Sequence, residues 1–539
     1  MTSSKASSFV REATGLTKQI SGLQALGMAL SGMGLLYVFN ATVFTPAFYP
    51  DANPLVYPLI GLLLILPVAA MYALFSIAMP RTGGDYVWTS RVLNSGTGFV
   101  INFSITLLAL SVIGSVSPWL SQWSFSPMFY DLGLLQHNTS YLSLANYLQG
   151  NTPTFWIAAV AILLSGAIVA GSTKLAGDLV KYWTILAIVI GVIFMAVVLS
   201  AGNSTFVANF NAQYGANAYN TIIAAGQSQA ASYPGVPPLL STATLAAGAL
   251  GLLGYLGFYY PAYFAGEVKQ NRRSQILAQV GGSVIYMIVT TIIFAVAYFG
   301  EGPAFINAIA GLWACTSCTT ANPYITIPLS SALSLFWTQN AALVTLFNLA
   351  FAGTIIVMFV SELFVLSRNI FAWSFDRVIP STFASVNSRT RTPVNAVVLM
   401  VIASLIYLYI AINTSYLSVL FSYGTAGTFL AFILVAVAAI VYPYRRKDLF
   451  DTAADEVAKK RYGGIPLITI LGALTLVISV YVVYALVAPA IGGPTFGSVL
   501  AYGIIPTFVL GIALYLVAYV ARRSEHIDLS LIAKEIPPE

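Results

Sequence analysis

The chain has 539 residues, 58% of them hydrophobic and only 7% charged, with a mean hydropathy of +0.84. Soluble proteins carry about 25% charged residues, so this composition excludes a water-soluble globule and points to an integral membrane protein. The formal net charge of +6 is accounted for by loops lying beside anionic lipid, and no basic patch interleaved with aromatics calls for nucleic acid.

Residues 1–19 are polar and lack a cleavable apolar core, so they read as a tail, with the first helix itself acting as the insertion signal. A helix crosses roughly 30 Å of hydrocarbon with about twenty apolar residues. On that length the chain divides into twelve predicted spans: Ile20 to Thr45, Leu55 to Met79, Gly98 to Leu120, Thr154 to Ser172, Tyr182 to Ala201, Ser241 to Gly266, Ile276 to Phe299, Ala341 to Leu366, Val394 to Ile412, Tyr416 to Val441, Ile465 to Ala488 and Val499 to Val520. All are read as helices, because unpaired backbone polar groups are not tolerated against lipid. With the N-terminus inside, all 23 Lys and Arg fall in the two tails and the even-numbered gaps, and the outer gaps hold none. Short loops rich in Lys and Arg stay on the cytoplasmic side, so the pattern predicts a multi-pass cell-membrane protein with both termini in the cytoplasm. A span miscounted by one would invert everything after it, so the segregation also supports the number twelve.

Three outer gaps, Ser121 to Pro153, Gly202 to Leu240 and Gly300 to Asn340, are long and rich in Asn, Ser, Tyr and Pro, and they suit loops that cover a central cavity. In the last of them Cys315 and Cys318 form C-x-x-C. An oxidising exterior permits a disulfide there, two unpaired thiols being the alternative. No His or further Cys lies near enough for zinc. Sequons at Asn138, Asn203 and Asn413 also fall in outer gaps.

The first span carries Ser31, Gly32, Met33 and Gly34 near its centre; the sixth carries Gly251, Gly254 and Gly257, then Phe258, Tyr259, Tyr260 and Pro261. Glycine and proline weaken a helix and proline removes a donor, so each site is expected to open into extended backbone. Close packing of small residues is the other explanation of either cluster alone. Together they occupy corresponding places in two five-helix halves, and an odd number of spans per half forces the second to run in the opposite sense, an inverted repeat. Half-helix N-termini offer free N–H groups to an anion, and the opposing ends offer carbonyls to a cation. An amino acid carries both charges. The resulting division is a tail (1–19), a first half (20–201), an outer loop (202–240), a second half (241–442), an inner loop (443–464), two further spans (465–521) and a tail (522–539).

Three motifs resemble those of the amino acid-polyamine-organocation (APC) superfamily, over most of the chain from about Leu16. Gly32-Met33-Gly34-Leu35 resembles its G-x-G-I break in the first helix. Pro80-Arg81-Thr82-Gly83-Gly84-Asp85-Tyr86, with Arg91, is similar to its P-[RK]-[SA]-G-G-x-Y segment. Ser367-Arg368-Asn369 through Asp376-Arg377-Val378-Ile379-Pro380 to Thr392-Pro393 resembles its stretch after the eighth helix. In the sixth helix Gly257-Phe258 and Glu267-Val268-Lys269 resemble G-[FWY]-E and E-x-K-N-P, but Tyr259 stands where an acid is common and Gln270-Asn271-Arg272 lacks the proline. The resemblance implies an all-α membrane protein of twelve spans with a five-plus-five inverted repeat and broken helices one and six.

The resemblance also implies that Lys181, in Asp178-Leu179-Val180-Lys181, takes the place of a sodium ion and couples transport to protons. A lysine held in a dry pocket has its charged form disfavoured; snorkelling to the inner interface is the alternative. Glu362 is the one acid placed inside a span, near the inner end of the eighth, and its expected partner is Arg368, Arg91 or another inner cation, as an inner gate or as a static pair. The acid missing at Tyr259 argues against cationic substrates. The expected function is therefore import of neutral amino acids in symport with protons. The substrate carboxylate would sit on N–H groups from Ser31 to Gly34 and its ammonium on carbonyls from Tyr255 to Gly257, with Tyr259 and Tyr260 lining or closing the pocket. No cofactor and no covalent chemistry is implied. An ion-independent exchanger is the nearest alternative and a membrane-embedded receptor or enzyme a more distant one, since His137 and His526 lie outside the spans; an ATP-driven pump is disfavoured because no phosphate-binding G-x-x-x-x-G-K-[ST] appears.

Overall fold

The computed structural model describes residues 15–35, 42–229, 235–315, 318, 329–414, 416–487 and 503–529. Its principal helices are α1 (Gly22–Gly32), α2 (Tyr57–Ala78), α3 (Ser95–Val116), α4 (Asn151–Gly171), α5 (Thr173–Tyr214), α6 (Thr242–Tyr255), α7 (Gly282–Glu301), α8 (Ala341–Phe375), α9 (Val394–Asn413), α10 (Tyr416–Arg445), α11 (Leu467–Val487) and α12 (Ile505–Ser524). Eleven helices among the described residues are long and apolar enough to cross a membrane. The eleven-residue α1 is not, because it stops at Gly32. A two-residue hairpin, Arg461–Tyr462 against Ile465–Pro466, is the one departure from helix among the named elements.

Polar caps fix where these apolar helices begin. Ser21 and Gln24 form a reciprocal capping box on α1, and Asn94, Ser172, Ser241 and Asn340 cap α3, α5, α6 and α8, each accepting from a first-turn N–H. Such a cap contributes roughly 1 kcal/mol by satisfying a donor that the helix cannot pair internally. The Ser172 cap starts α5 nine residues before the expected Tyr182, so Lys181 lies within the helix rather than ahead of it. The described parts of the long outer gaps are not all open loops. Residues Ser126–Leu135, Thr139–Leu148, Ala218–Gln229 and Pro303–Ala314 are helical, which satisfies their backbone where the sequence suggested irregular cover. Cys315 and Cys318 are joined as a disulfide.

Burial separates the centre from the rim. The most apolar stretch is 83% buried in α3 and its continuation, 67% in α8 and 11% in α12. On α12 the side chains of Val509, Leu516 and Val520 face outward, an arrangement stable only against lipid. At the centre α8 packs on α1, α3, α4, α5 and α9.

The basic face is closed by backbone pairing and buried ions. Ile20 bridges Val268, and Thr82 bridges Phe264, so the segments before α1, after α2 and after α6 are pinned together. Asp85 is fully buried there and accepts from the Tyr72 hydroxyl (3.0 Å), the Tyr263 hydroxyl (2.6 Å) and Asn102 Nδ2 (2.7 Å). Burial pushes its carboxyl up, against the pull of Tyr263, Asn102 and Tyr72. Asp85→Ala is expected to strand these three donors at about 1–3 kcal/mol for each one left unpaired, whereas Asp85→Asn keeps one acceptor oxygen. Thermal unfolding in detergent should show the larger fall for alanine; equal melting temperatures for both variants would refute this account of the loop.

Candidate functional site

The first helix ends in a true C-cap. The N–H of Met33 donates to Ala29 O (3.0 Å), that of Gly34 to Ser31 O (3.0 Å) and that of Leu35 to Leu30 O (3.3 Å). Gly34 has φ +65°, a left-handed conformation that glycine adopts without a Cβ penalty. This is the Schellman arrangement, in which the residues after a helix return their N–H groups to its last carbonyls. The N–H groups of Met33 and Gly34 are thus engaged by their own helix, and residues 36–41 lie outside the described set.

The sixth span breaks differently from expectation. After α6 ends at Tyr255 the chain tightens into a 3₁₀ turn over Leu256–Tyr259 and then a single α-turn over Tyr260–Tyr263, in place of extended backbone. Pro261 occupies the first turn of that piece, where its missing donor costs nothing. Both α1 and α6 therefore point C-terminal ends, with their partial negative charge, at the centre of the molecule.

The two breaks meet face to face. A Cβ added to Gly257 would fall on the Met33 nitrogen, the Gly32 carbonyl carbon and the Ala29 oxygen (2.6 Å for the last), and one added to Gly32 would fall on the Tyr260 ring. Both glycines are required by this close approach.

Consecutive residues of α8 hold both pieces. The Ser31 hydroxyl donates to Met28 O (3.0 Å) and pairs with the Ser361 hydroxyl, while Tyr260 donates its phenol to Glu362 Oε2. Glu362 is 1% exposed and forms no ion pair among the described residues. It lies thirteen residues before the end of α8, so its expected position near the inner end and its expected arginine partners both differ from what is observed. The arginines are engaged elsewhere. Arg368 grips Glu267 in a bidentate pair (2.8 and 2.9 Å) with its guanidinium over the Phe364 ring, and Arg91 pairs with Asp376 (2.6 and 2.9 Å). A carboxylate is matched best by the nearest planar guanidinium, and helix geometry puts Glu362 more than a turn from Arg368.

Lys181 is not in a dry pocket. Its ammonium bonds Asp178 Oδ1 (2.9 Å), rests over the Tyr182 ring (4.1 Å) and remains 20% exposed. Asp178 Oδ1 also accepts from Gln24 Nε2 (2.9 Å), so the cluster ties α5 to α1. Tyr255 and Tyr259 are buried; the Tyr255 hydroxyl donates to Pro58 O (2.7 Å), and the Tyr259 ring packs against Tyr72 and Phe432. Sequence reasoning missed Ser361 and gave Asp85, Glu267 and Asp376 no role beyond their place in motifs; the available signal was that each is an acid or hydroxyl in or beside a nearly charge-free span.

Gly257→Ala is expected to cost at least roughly 1–3 kcal/mol by overpacking against backbone, with a matching fall in thermal stability. Gly281→Ala, whose Cβ would meet nothing nearer than 3.5 Å, serves as the control. Equal stability of the two variants would show that the helices do not cross here.

The sequence model of a family described as amino acid permease matches residues 20–514. The chain is also 25% identical over 436 residues to human cationic amino acid transporter 4, covering 79% of this chain and 60% of that protein. It therefore spans about 60% of the length of this curated relative. With a match across nearly the whole chain and many apolar helices around two interrupted ones, the protein is a multi-pass membrane protein that belongs to the amino acid permease family.

Proposed function

We propose that this permease is a secondary active transporter that imports amino acids in symport with protons by alternating access. In this reading it has twelve spans in a five-plus-five inverted repeat, divided as the sequence suggests, and sits in the cell membrane with both termini cytoplasmic. The observation that carries the reading is the crossing of two interrupted helices, at Gly32 and Gly257, on adjacent polar residues of α8. The substrate ammonium is placed between the carbonyl ends of α1 and α6, at Tyr255 to Gly257. Its carboxylate lies against Ser31, Gly32, Met33 and Gly34, where it replaces cap bonds. Tyr259 and Tyr260 close the pocket. The Arg368–Glu267 and Arg91–Asp376 pairs form the gate on the basic face, and Lys181 is the residue that the family resemblance assigns to proton coupling.

Transport then follows from rocking the broken helices against the remainder. A buried pair that must open in each cycle is suited to this, because separating it is costly in the dry state and inexpensive once water enters.

Glu362 favours a second reading of the substrate. Neutral amino acids were expected because the pocket lacked an acid, and Glu362 supplies one beside the two negative helix ends. Basic amino acids then become candidates, in line with the cationic transporter among its relatives. Counterflow in proteoliposomes with labelled neutral and basic amino acids, with and without a pH step or sodium, tests both. Neutral substrates accumulating with an inward proton gradient are the expected result, and arginine or lysine accumulating alone would establish the second reading. Exchange without net uptake into empty vesicles would replace symport by obligate exchange, and no flux of any amino acid would overturn transport itself.

A further inference from the structure

Most of the buried charge on the basic face is compensated: Asp85 by three donors, Glu267 by Arg368, Asp376 by Arg91. Glu362 is not. It is buried inside α8, its Oε2 accepts the Tyr260 phenol, and no Lys, Arg or His pairs with it among the described residues. Among the described residues the titratable groups that reach it come from the sixth span, Tyr260 by hydrogen bond and Tyr259 through its electrostatic influence. From α1 the neighbour on α8 is the Ser31 hydroxyl, held by Ser361. From α3, Asn102 and Thr106 are spent on Trp373 and Asn369 farther along α8. On α5 the ammonium of Lys181 is taken by Asp178, and Arg368 on α8 itself is taken by Glu267.

We propose that Glu362 is the proton-binding group of the transport cycle, carrying its proton while α1 and α6 are docked on α8 and releasing it when Tyr260 withdraws. The inference rests on the symport reading above and moves its coupling site from Lys181 to the crossing itself. A carboxylate in so dry a place is stable only when something positive is bound. Between substrates a proton is the smallest such partner. Its neighbour Tyr260 sits on the piece of chain that must move relative to α8, so water reaches the carboxyl, and the proton leaves, only after the two separate. Lys181 lacks both properties, since it is partly exposed and already paired. The balance is simple: Glu362 takes up one proton when the crossing is parted toward the outer solution, holds it while docked, and delivers it when the crossing parts toward the inner solution, with one substrate per turn.

Proteoliposomes containing a pH-sensitive dye test this when substrate is added to wild type, Glu362→Gln and Tyr260→Phe. Wild type is expected to acidify the lumen as substrate enters. Whatever substrate flux remains in Glu362→Gln should carry no proton and show no pH dependence. Tyr260→Phe keeps the carboxyl but removes its donor, and its pH profile for uptake should be displaced by roughly one unit. Proton flux persisting in Glu362→Gln overturns the proposal, and so does basic-substrate uptake lost in that variant while neutral uptake keeps its proton. If Glu362→Gln is silent, an undisplaced Tyr260→Phe profile overturns it. Absence of substrate flux in wild type would instead strike the transport reading.

Discussion

Adjacent side chains on one helix organise the centre of this protein. Ser361 holds α1 through Ser31, and Glu362 holds the piece after α6 through Tyr260. The arrangement is possible because Gly257 lets the sixth span lie directly on the Gly32–Met33 backbone. Any side chain there would separate the helices and leave the two polar residues of α8 without partners in a region where water is scarce. Packing and polarity at the centre are therefore a single constraint: the glycines permit the approach, and the approach supplies the hydrogen bonds.

The closed basic face follows from the same economy of charge. A chain with 7% charged residues has few ions to place, and it buries several of them in pairs. A buried pair adds little net stability, but removing one partner is expensive, which makes these contacts good markers of a single docked arrangement. The bidentate Arg368–Glu267 pair lies between α8 and the end of the sixth span, the bodies that Glu362 and Tyr260 join at depth. In the proposed transport cycle, opening the basic face and undocking the sixth span would thus involve the same relative movement.

Much of this was legible in the sequence. Apolar length pointed to the eleven helices that are long enough to cross a membrane among the described residues, and Gly, Pro and Ser located both interruptions. The form of the interruptions was not legible, because Gly-Met-Gly is equally compatible with extended chain and with the cap that Gly34 makes by its positive φ. Partners on α8 were also beyond reach. A helix that is apolar almost all round has no face to read from its periodicity, so nothing distinguished the direction of Glu362 from that of Arg368. Glu267 and Arg368 are 101 positions apart and meet only through the fold. Lys181 was read as lying just ahead of a span that begins at Tyr182, and its environment depended on Asp178 three residues earlier, within one turn once Ser172 starts the helix.

Alternating access, as proposed, requires α1 and the sixth span to leave α8 and return to it during each turnover. The most direct measurement introduces Ser31→Cys with Ser361→Cys, whose native hydroxyls are in contact, and compares uptake after oxidation and after reduction. The account predicts that the oxidised pair arrests uptake and that reduction restores it. Full uptake with the two helices covalently joined would contradict it.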